Sequence, residues 1–215
     1  MAEVSGKRGA FILIEGLDHS GKTTQCELLA EELLIKKVPV KIQKFPNRST
    51  EIGKIIDLYL RGDLELEEHA VHLLFSANRW EMSEKIRNDL KNGITVIVDR
   101  YIYSGIAFSA AKGLNIEWCE EADKGLPLPD GVIYLDICEE KASLRHNYGV
   151  ERMETGTIQK SVRSVFRNMY EKNKNTNCPW YWVDASNSII EVKLNTWNAA
   201  QDIINNLSDD IKEFS

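Results

Sequence analysis

Residues 16–23 read Gly-Leu-Asp-His-Ser-Gly-Lys-Thr, a GxxxxGK[ST] string with FILIE before it and a leucine-rich stretch after it. Few short strings constrain a fold as tightly. Glycines at both ends let the backbone turn sharply off a strand, so successive N–H groups face inward. The N-terminus of the following helix adds the positive end of its dipole. This strand–loop–helix unit is built to cradle phosphate oxygens. Lys22 is then placed to bridge the β- and γ-phosphates of a nucleotide, and Thr23 to ligate Mg²⁺. A glycine turn that merely caps a helix is the plainer reading, and the flanking strand and helix argue against it.

The rest of the chain supplies the matching framework. Apolar, partly β-branched runs at Ala10–Glu15, Val38–Lys44, Ile94–Asp99, Gly131–Asp136 and, more weakly, Trp180–Asp184 read as strands. Helical patterns lie between them at Thr23–Lys37, Glu51–Arg61, Glu65–Lys91, Tyr103–Lys112, Ile116–Lys124, Thr157–Lys174 and Ser188–Leu207. Continuous apolar strands alternating with helices predict a buried parallel sheet in an α/β doubly wound domain. With 215 residues, 43% hydrophobic, and no repeat or Pro/Ser linker, one domain over 1–215 is expected.

Charge and cysteine usage narrow the setting. The net charge of −6 argues against general duplex binding, so no nucleic-acid partner is expected. No apolar run approaches the roughly 18 residues of a spanning helix, and the first residues lack the long apolar region of a signal peptide, so no membrane partner is expected either. The four cysteines at 26, 119, 138 and 178 are far apart, with no metal-ligand spacing. Reduced thiols in the cytoplasm are expected, with a nuclear pool left open.

A phosphate loop is shared by motors, GTPases and small-molecule kinases, and the NKxD element of a GTPase is absent. Four further segments carry chemistry. Asp99-Arg100 ends the third strand, where an acid can orient Mg²⁺ through water and an arginine can grip phosphate; an ion pair closing the strand is the plainer alternative. Phe45-Pro-Asn-Arg48-Ser-Thr50 follows the second strand and leaves Arg48 beside a helix start, either anion-facing or solvated. Phe75 and Arg79 are four apart, hence on one helix face, and suit a flat heteroaromatic base as plate and fork; core aromatics with a surface arginine would look the same. The segment at about 145–156, bounded by Gly149 and Gly156, is charged enough to close over phosphates as a lid, or is a solvated connection.

Together the strings EGLDHSGKTTQ, FPNRST, LLFSANRWE, VDRYIYSGIAFSAAKG, GLPLPD, YGVERMETGTIQ and VDAS closely resemble the thymidylate kinase family of eukaryotes and poxviruses, in family order from about Ala10 to about Leu207. The resemblance implies a P-loop NTPase-type, five-stranded doubly wound parallel sheet flanked by helices, acting as a homodimer. It implies transfer of the γ-phosphoryl of ATP-Mg²⁺ to dTMP, giving dTDP for dTTP synthesis. The donor side would comprise Gly16, His19, Ser20, Gly21, Lys22, Thr23 and Thr24, with Ala185 against the adenine. Thr23 and Asp99 would serve the metal. The dTMP side would comprise Asp18 on the 3′-hydroxyl, Arg48 and Arg100 on the phosphate, Phe75 on the thymine face and Arg79 on its O4. Phe45, Ser104, Gly105, Phe108 and Met153 would complete that pocket. Lys22, Asp99, Arg100 and Arg152 would be the catalytic set.

Two positions depart from the family's common pattern. His19 stands where relatives often carry an arginine that reaches the transferred phosphoryl, and Met153 stands where tyrosine is common. With histidine there that cation is weakened or absent, so a lid arginine, Arg152 ahead of Arg145, is expected to supply it. The acceptor phosphate is already largely dianionic near neutral pH, so no general base is required and no histidine is assigned a catalytic role. The rivals are the same chemistry on dUMP or a nucleoside, and a nucleotide-binding regulator without turnover.

Overall fold

The computed structural model describes residues 7–144, 151–174, 176 and 178–215. Five strands form one all-parallel sheet: β1 (Phe11–Gly16), β2 (Val40–Lys44), β3 (Thr95–Asp99), β4 (Gly131–Asp136) and β5 (Trp180–Asp184), in the order β2-β3-β1-β4-β5. β1, β3 and β4 are buried along their whole length, which is why they read as unbroken apolar runs. β2 differs. It is an edge strand in which Lys41, Ile42 and Lys44 are exposed, so the expectation of a fully buried strand fails there.

The helices are α1 (Lys22–Ile35), α2 (Glu51–Arg61), α3 (Glu68–Lys91), α4 (Ile102–Ala111), α5 (Ile116–Glu121), α6 (Glu139–Ala142), α7 (Gly156–Asn173) and α8 (Ile189–Asn205). Capping sets several of their starts. Glu67 accepts from the N–H groups of His69 and Ala70, so α3 begins at Glu68 rather than at Glu65 as its pattern suggests. Thr50 and Thr155 cap α2 and α7, and Ser188 with Glu191 forms a capping box on α8. The four-residue α6 is too short to show a period and was not expected.

Two apolar clusters result. The larger joins both faces of the sheet to the packed helices. The smaller holds Ile56, Tyr59, Leu60, Val71 and Met153, with Phe75 and Phe108 packed against it. Between this second cluster and the carboxyl ends of β1, β2 and β3 lies the functional cavity. Of the segment read as a lid, residues 145–150, including Arg145, lie outside the described residues. No helix among the described residues is long and apolar enough to cross a membrane.

Candidate active site

The loop from β1 into α1 forms one end of the cavity. Gly16 has φ 152°, and a Cβ there would stand 2.6 Å from the Leu135 carbonyl and 2.7 Å from Ser20 Oγ. Only glycine lets the chain leave β1 so close to β4. No side chain caps α1, unlike α2, α7 and α8; its first intrahelical bond runs from Gln25 N to Gly21 O. The first-turn N–H groups of α1 before Gln25 are therefore left for an outside acceptor. Lys22 is buried and donates to the Leu17 carbonyl at 2.5 Å. Burial, aided by Arg100, pushes its pKa down to about 8 against the pull of Asp99, Asp18 and Glu15. A buried ammonium held by one carbonyl is poised for an anion.

The ends of β1 and β3 meet beside this loop. Thr23 donates to Asp99 Oδ2 at 2.6 Å, while among the described residues Asp99 Oδ1 is buried without a hydrogen-bond partner. Lys44 donates to Thr23 Oγ1 at 3.2 Å. An orphaned carboxylate oxygen next to a hydroxyl is a fit for a hard divalent cation that keeps most of its water. Among the described residues, no group of three or more His, Cys, Asp or Glu could hold a metal unaided.

Arg100 follows at φ 68° and reaches back across the loop. It donates to Asp18 at 2.5 Å, to the Gly16 carbonyl at 3.1 Å and to Ser104 Oγ at 3.1 Å. Asp18 also accepts from Gln159 Nε2 at 2.7 Å. Burial opposes its charge, but Arg100, Lys22, Gln159 and His19 prevail and hold its pKa below the usual value. Behind them Glu15, fully buried, takes the N–H groups of Tyr101 and Ser104, both at 3.0 Å, and the Ser104 hydroxyl at 2.5 Å. A strand residue thus caps α4 from outside the helix and fixes Ser104. Burial pushes the Glu15 pKa up, against Arg100 and those hydrogen bonds.

The middle of the cavity is set by a loop tied to α3. Asn78, buried, accepts from Asn47 N at 2.7 Å and donates to the Asn47 carbonyl, Thr50 and Glu81 at 3.0–3.2 Å. The tether holds the Phe45–Thr50 turn open toward the cavity. There Arg48 is held by Asp57 at 2.7 Å and Glu151 at 2.6 Å. At the far end Arg79 pairs with Asp123, flanked by half-buried Phe75 and by Gly105 and Phe108 of α4.

A continuous cavity of about 380 Å³ joins these regions. His19, Gly21, Lys22, Thr23, Thr24 and Asp99 stand at its loop end. Asp18, Phe45, Arg48, Phe75, Arg79, Arg100, Ser104, Gly105, Phe108 and Met153 also line it, with Lys44, Leu60, Val71 and Lys112 among their neighbours in the wall. Gly16, Ser20 and Ala185 are not in its wall. The Gly16 carbonyl accepts from Arg100 at 3.1 Å, Ser20 Oγ is buried with no hydrogen-bond partner among the described residues, and the Ala185 N–H donates to the Asp136 carbonyl at 2.8 Å.

Arg152 does not line the cavity: its guanidinium donates to Glu65 and the Tyr59 carbonyl and lies 4.6 Å over the Tyr59 ring. Glu65 belongs to the stretch that the sequence pattern reads as helix and that precedes α3 in the structure. His19 bonds Glu154 at 3.0 Å, joining the loop to the residue after Met153. Glu15, Gln159, Asn78 and Asp123 were not singled out as site residues. Nothing in spacing reveals them, because each works across elements distant in the chain.

The comparisons agree with this geometry. The thymidylate kinase family model matches residues 14–195. The thymidylate kinase of Schizosaccharomyces pombe is 46% identical over 185 residues, spanning 86% of this chain and 88% of the relative. The human thymidylate kinase is 43% identical over 187 residues, spanning 86% and 87%. The solved thymidylate kinase of Candida albicans superposes with a TM-score of 0.88 at 38% identity, covering 98% of this chain and all of that one. A cavity with a phosphate loop at one end and a buried arginine at the other, in a fold and sequence this similar, means that the chain belongs to the thymidylate kinase family, the ATP-dependent kinases that convert dTMP to dTDP.

Proposed function

We infer that this chain transfers the γ-phosphoryl of ATP, carried with Mg²⁺, to the phosphate of dTMP, supplying dTDP for dTTP synthesis. The observation that carries the reading is the single cavity running from the uncapped start of α1, past Arg100 and Arg48, to Phe75 and Arg79. An oxygen of the dTMP phosphate forms the new bond to the γ-phosphorus as the bond to the β–γ bridging oxygen breaks and ADP leaves. No side chain has to take a proton, so the work is alignment and charge stabilisation.

The loop backbone of Gly16, His19, Ser20, Gly21 and Thr24 and the Lys22 ammonium hold the donor phosphates, with Ala185 near the adenine. Thr23 would ligate Mg²⁺ and Asp99 would support it through water, and when bound the ion would supply charge neutralisation to the phosphates. Arg48 and Arg100 take the acceptor phosphate in place of their present carboxylate partners. Asp18 accepts the 3′-hydroxyl, Phe75 stacks on thymine and Arg79 donates to O4, with Phe45, Ser104, Gly105, Phe108 and Met153 closing the pocket. Arg152 joins the transferring group on leaving Glu65, an exposed pair that is cheap to break.

The working form is a homodimer through α3, which turns Leu73 and Trp80 outward. A reducing compartment, the cytoplasm with a nuclear pool left open, suits four free thiols. Coupled ADP release with dTMP, dUMP and thymidine tests the reading. dTMP should be the best acceptor. A preference for either other compound would reassign the substrate, and no ADP with any of them would make the chain a non-catalytic nucleotide binder.

A further inference from the structure

We propose that Asp123 is a positioning residue for base recognition: its buried carboxylate fixes Arg79 so that one edge of the guanidinium, carrying only donors, faces the acceptor base. The inference deepens the proposed function and rests on its reading of Arg79 as the residue at the base edge.

Arg79 and Asp123 are 2% and 0% exposed. Arg79 Nε donates to Asp123 Oδ1 at 3.1 Å, and Nη2 to Oδ2 at 2.6 Å, a bidentate fork. Ser76, one turn before Arg79 on α3, adds its hydroxyl to Asp123 Oδ1 at 2.7 Å and to the Ala122 carbonyl at 2.8 Å. The carboxylate is thereby held from two directions, and it engages two of the three guanidinium nitrogens. Among the described residues Nη1 donates to nothing, and Arg79 lines the cavity. The other restraint is Gly105 on α4. A Cβ there would stand 2.8 Å from both Nη1 and Nη2 and 3.0 Å from Cζ, so the guanidinium is pressed against bare backbone.

A guanidinium has five N–H donors and no acceptor. Fixed in this way, its free edge matches a base that presents a carbonyl and is mismatched to one that presents an amino group. A looser arginine could swing away and tolerate either. Asp123 therefore sets discrimination between 4-oxo and 4-amino pyrimidines without touching the base.

The test is a double-mutant cycle on dTMP affinity, with dCMP as the 4-amino probe. Asp123→Asn should raise the dTMP dissociation constant about tenfold and lower the dTMP-over-dCMP preference by a similar factor, while turnover at saturation stays within about threefold. In the Arg79→Ala background, Asp123→Asn should produce no further loss. Multiplying losses in the cycle, or unchanged dTMP affinity in a folded Asp123→Asn protein, would overturn the proposal. Gly105→Ala, which displaces the guanidinium and keeps the carboxylate, should reproduce the loss of affinity and preference. If neither moves, the proposal fails even should Asp123→Asn not fold. Wild-type dTMP affinity in Arg79→Ala alone would instead sink the assignment of the base site.

Discussion

Arg79, at one end of the cavity, and Arg48, at its middle, are held in opposite ways. Arg79 is 2% exposed and forked to a carboxylate that has no access to solvent. Arg48 is 41% exposed and divided between Asp57 and Glu151, which are themselves partly open to water. The first arrangement is permanent, because breaking it would leave a charge stranded in a low-dielectric interior. The second is exchangeable, because water can cover both partners while an incoming anion takes their place. The arginine proposed for the base is therefore fixed during folding, whereas the one proposed for the phosphate is free to change partners on binding. Arg100 combines the two, sheltered but paired with Asp18.

The sharpest way to break this contrast is to delete each arginine in turn. Arg79→Ala strands Asp123 and should cost about 3–5 kcal/mol of stability, read from denaturant midpoints. Arg48→Ala should cost about 1 kcal/mol or less while weakening dTMP binding. Equal losses of stability would erase the distinction between the two arginines.

Lys22 tests the cost of an ammonium kept ready for phosphate. Lys22→Met should lower single-turnover transfer by about 10²–10³. The same variant should be more stable than the wild type at pH 7, by about 3 kcal/mol. The sign follows from a pKa of about 8 in the folded chain against the ordinary 10.5. Between those values the unfolded chain binds the extra proton, so wild-type stability rises with pH and the variant's advantage fades. An advantage independent of pH from 8 to 10.5 would show that Lys22 is not desolvated.

A smaller effect probes Asp18, whose two oxygens already take Arg100 and Gln159 yet keep acceptor capacity to spare. A 3′-deoxy analogue of dTMP should lose about 1–3 kcal/mol in kcat/KM, because it leaves a desolvated acceptor unpaired. Equal efficiency would remove Asp18 from sugar recognition. The smallest effect is assigned to Arg152→Ala, about tenfold in turnover with dTMP affinity retained. An unchanged rate would mean that Arg152 remains with Glu65 throughout the cycle.

Much of the fold was legible because it is local. Gly131–Asp136, Trp180–Asp184 and Glu51–Arg61 have the same bounds in the pattern and in the structure. Periodicity and a strand-to-loop motif register within a few residues of one another. The errors arose where a neighbour decides. Whether β2 is buried depends on its place at the sheet edge, and where α3 begins depends on the Glu67 cap.

By itself the sequence determined the phosphate loop, the order of strands and helices, and the residue types that an anion and a flat base require, since each is written in contiguous residues. Tertiary structure decided what those residues do with one another. It placed Arg152 on Glu65, turned Glu15 into a cap for α4, tied the Phe45–Thr50 loop to Asn78 and locked Arg79 to Asp123. The members of each pair lie between 31 and 87 positions apart in the chain. No local spacing encodes such contacts; the packing of α3 and α4 against the sheet brings the Glu15, Asn78 and Arg79 pairs within hydrogen-bond reach, and burial then makes those pairings obligatory, whereas the exposed Arg152–Glu65 pair stays breakable.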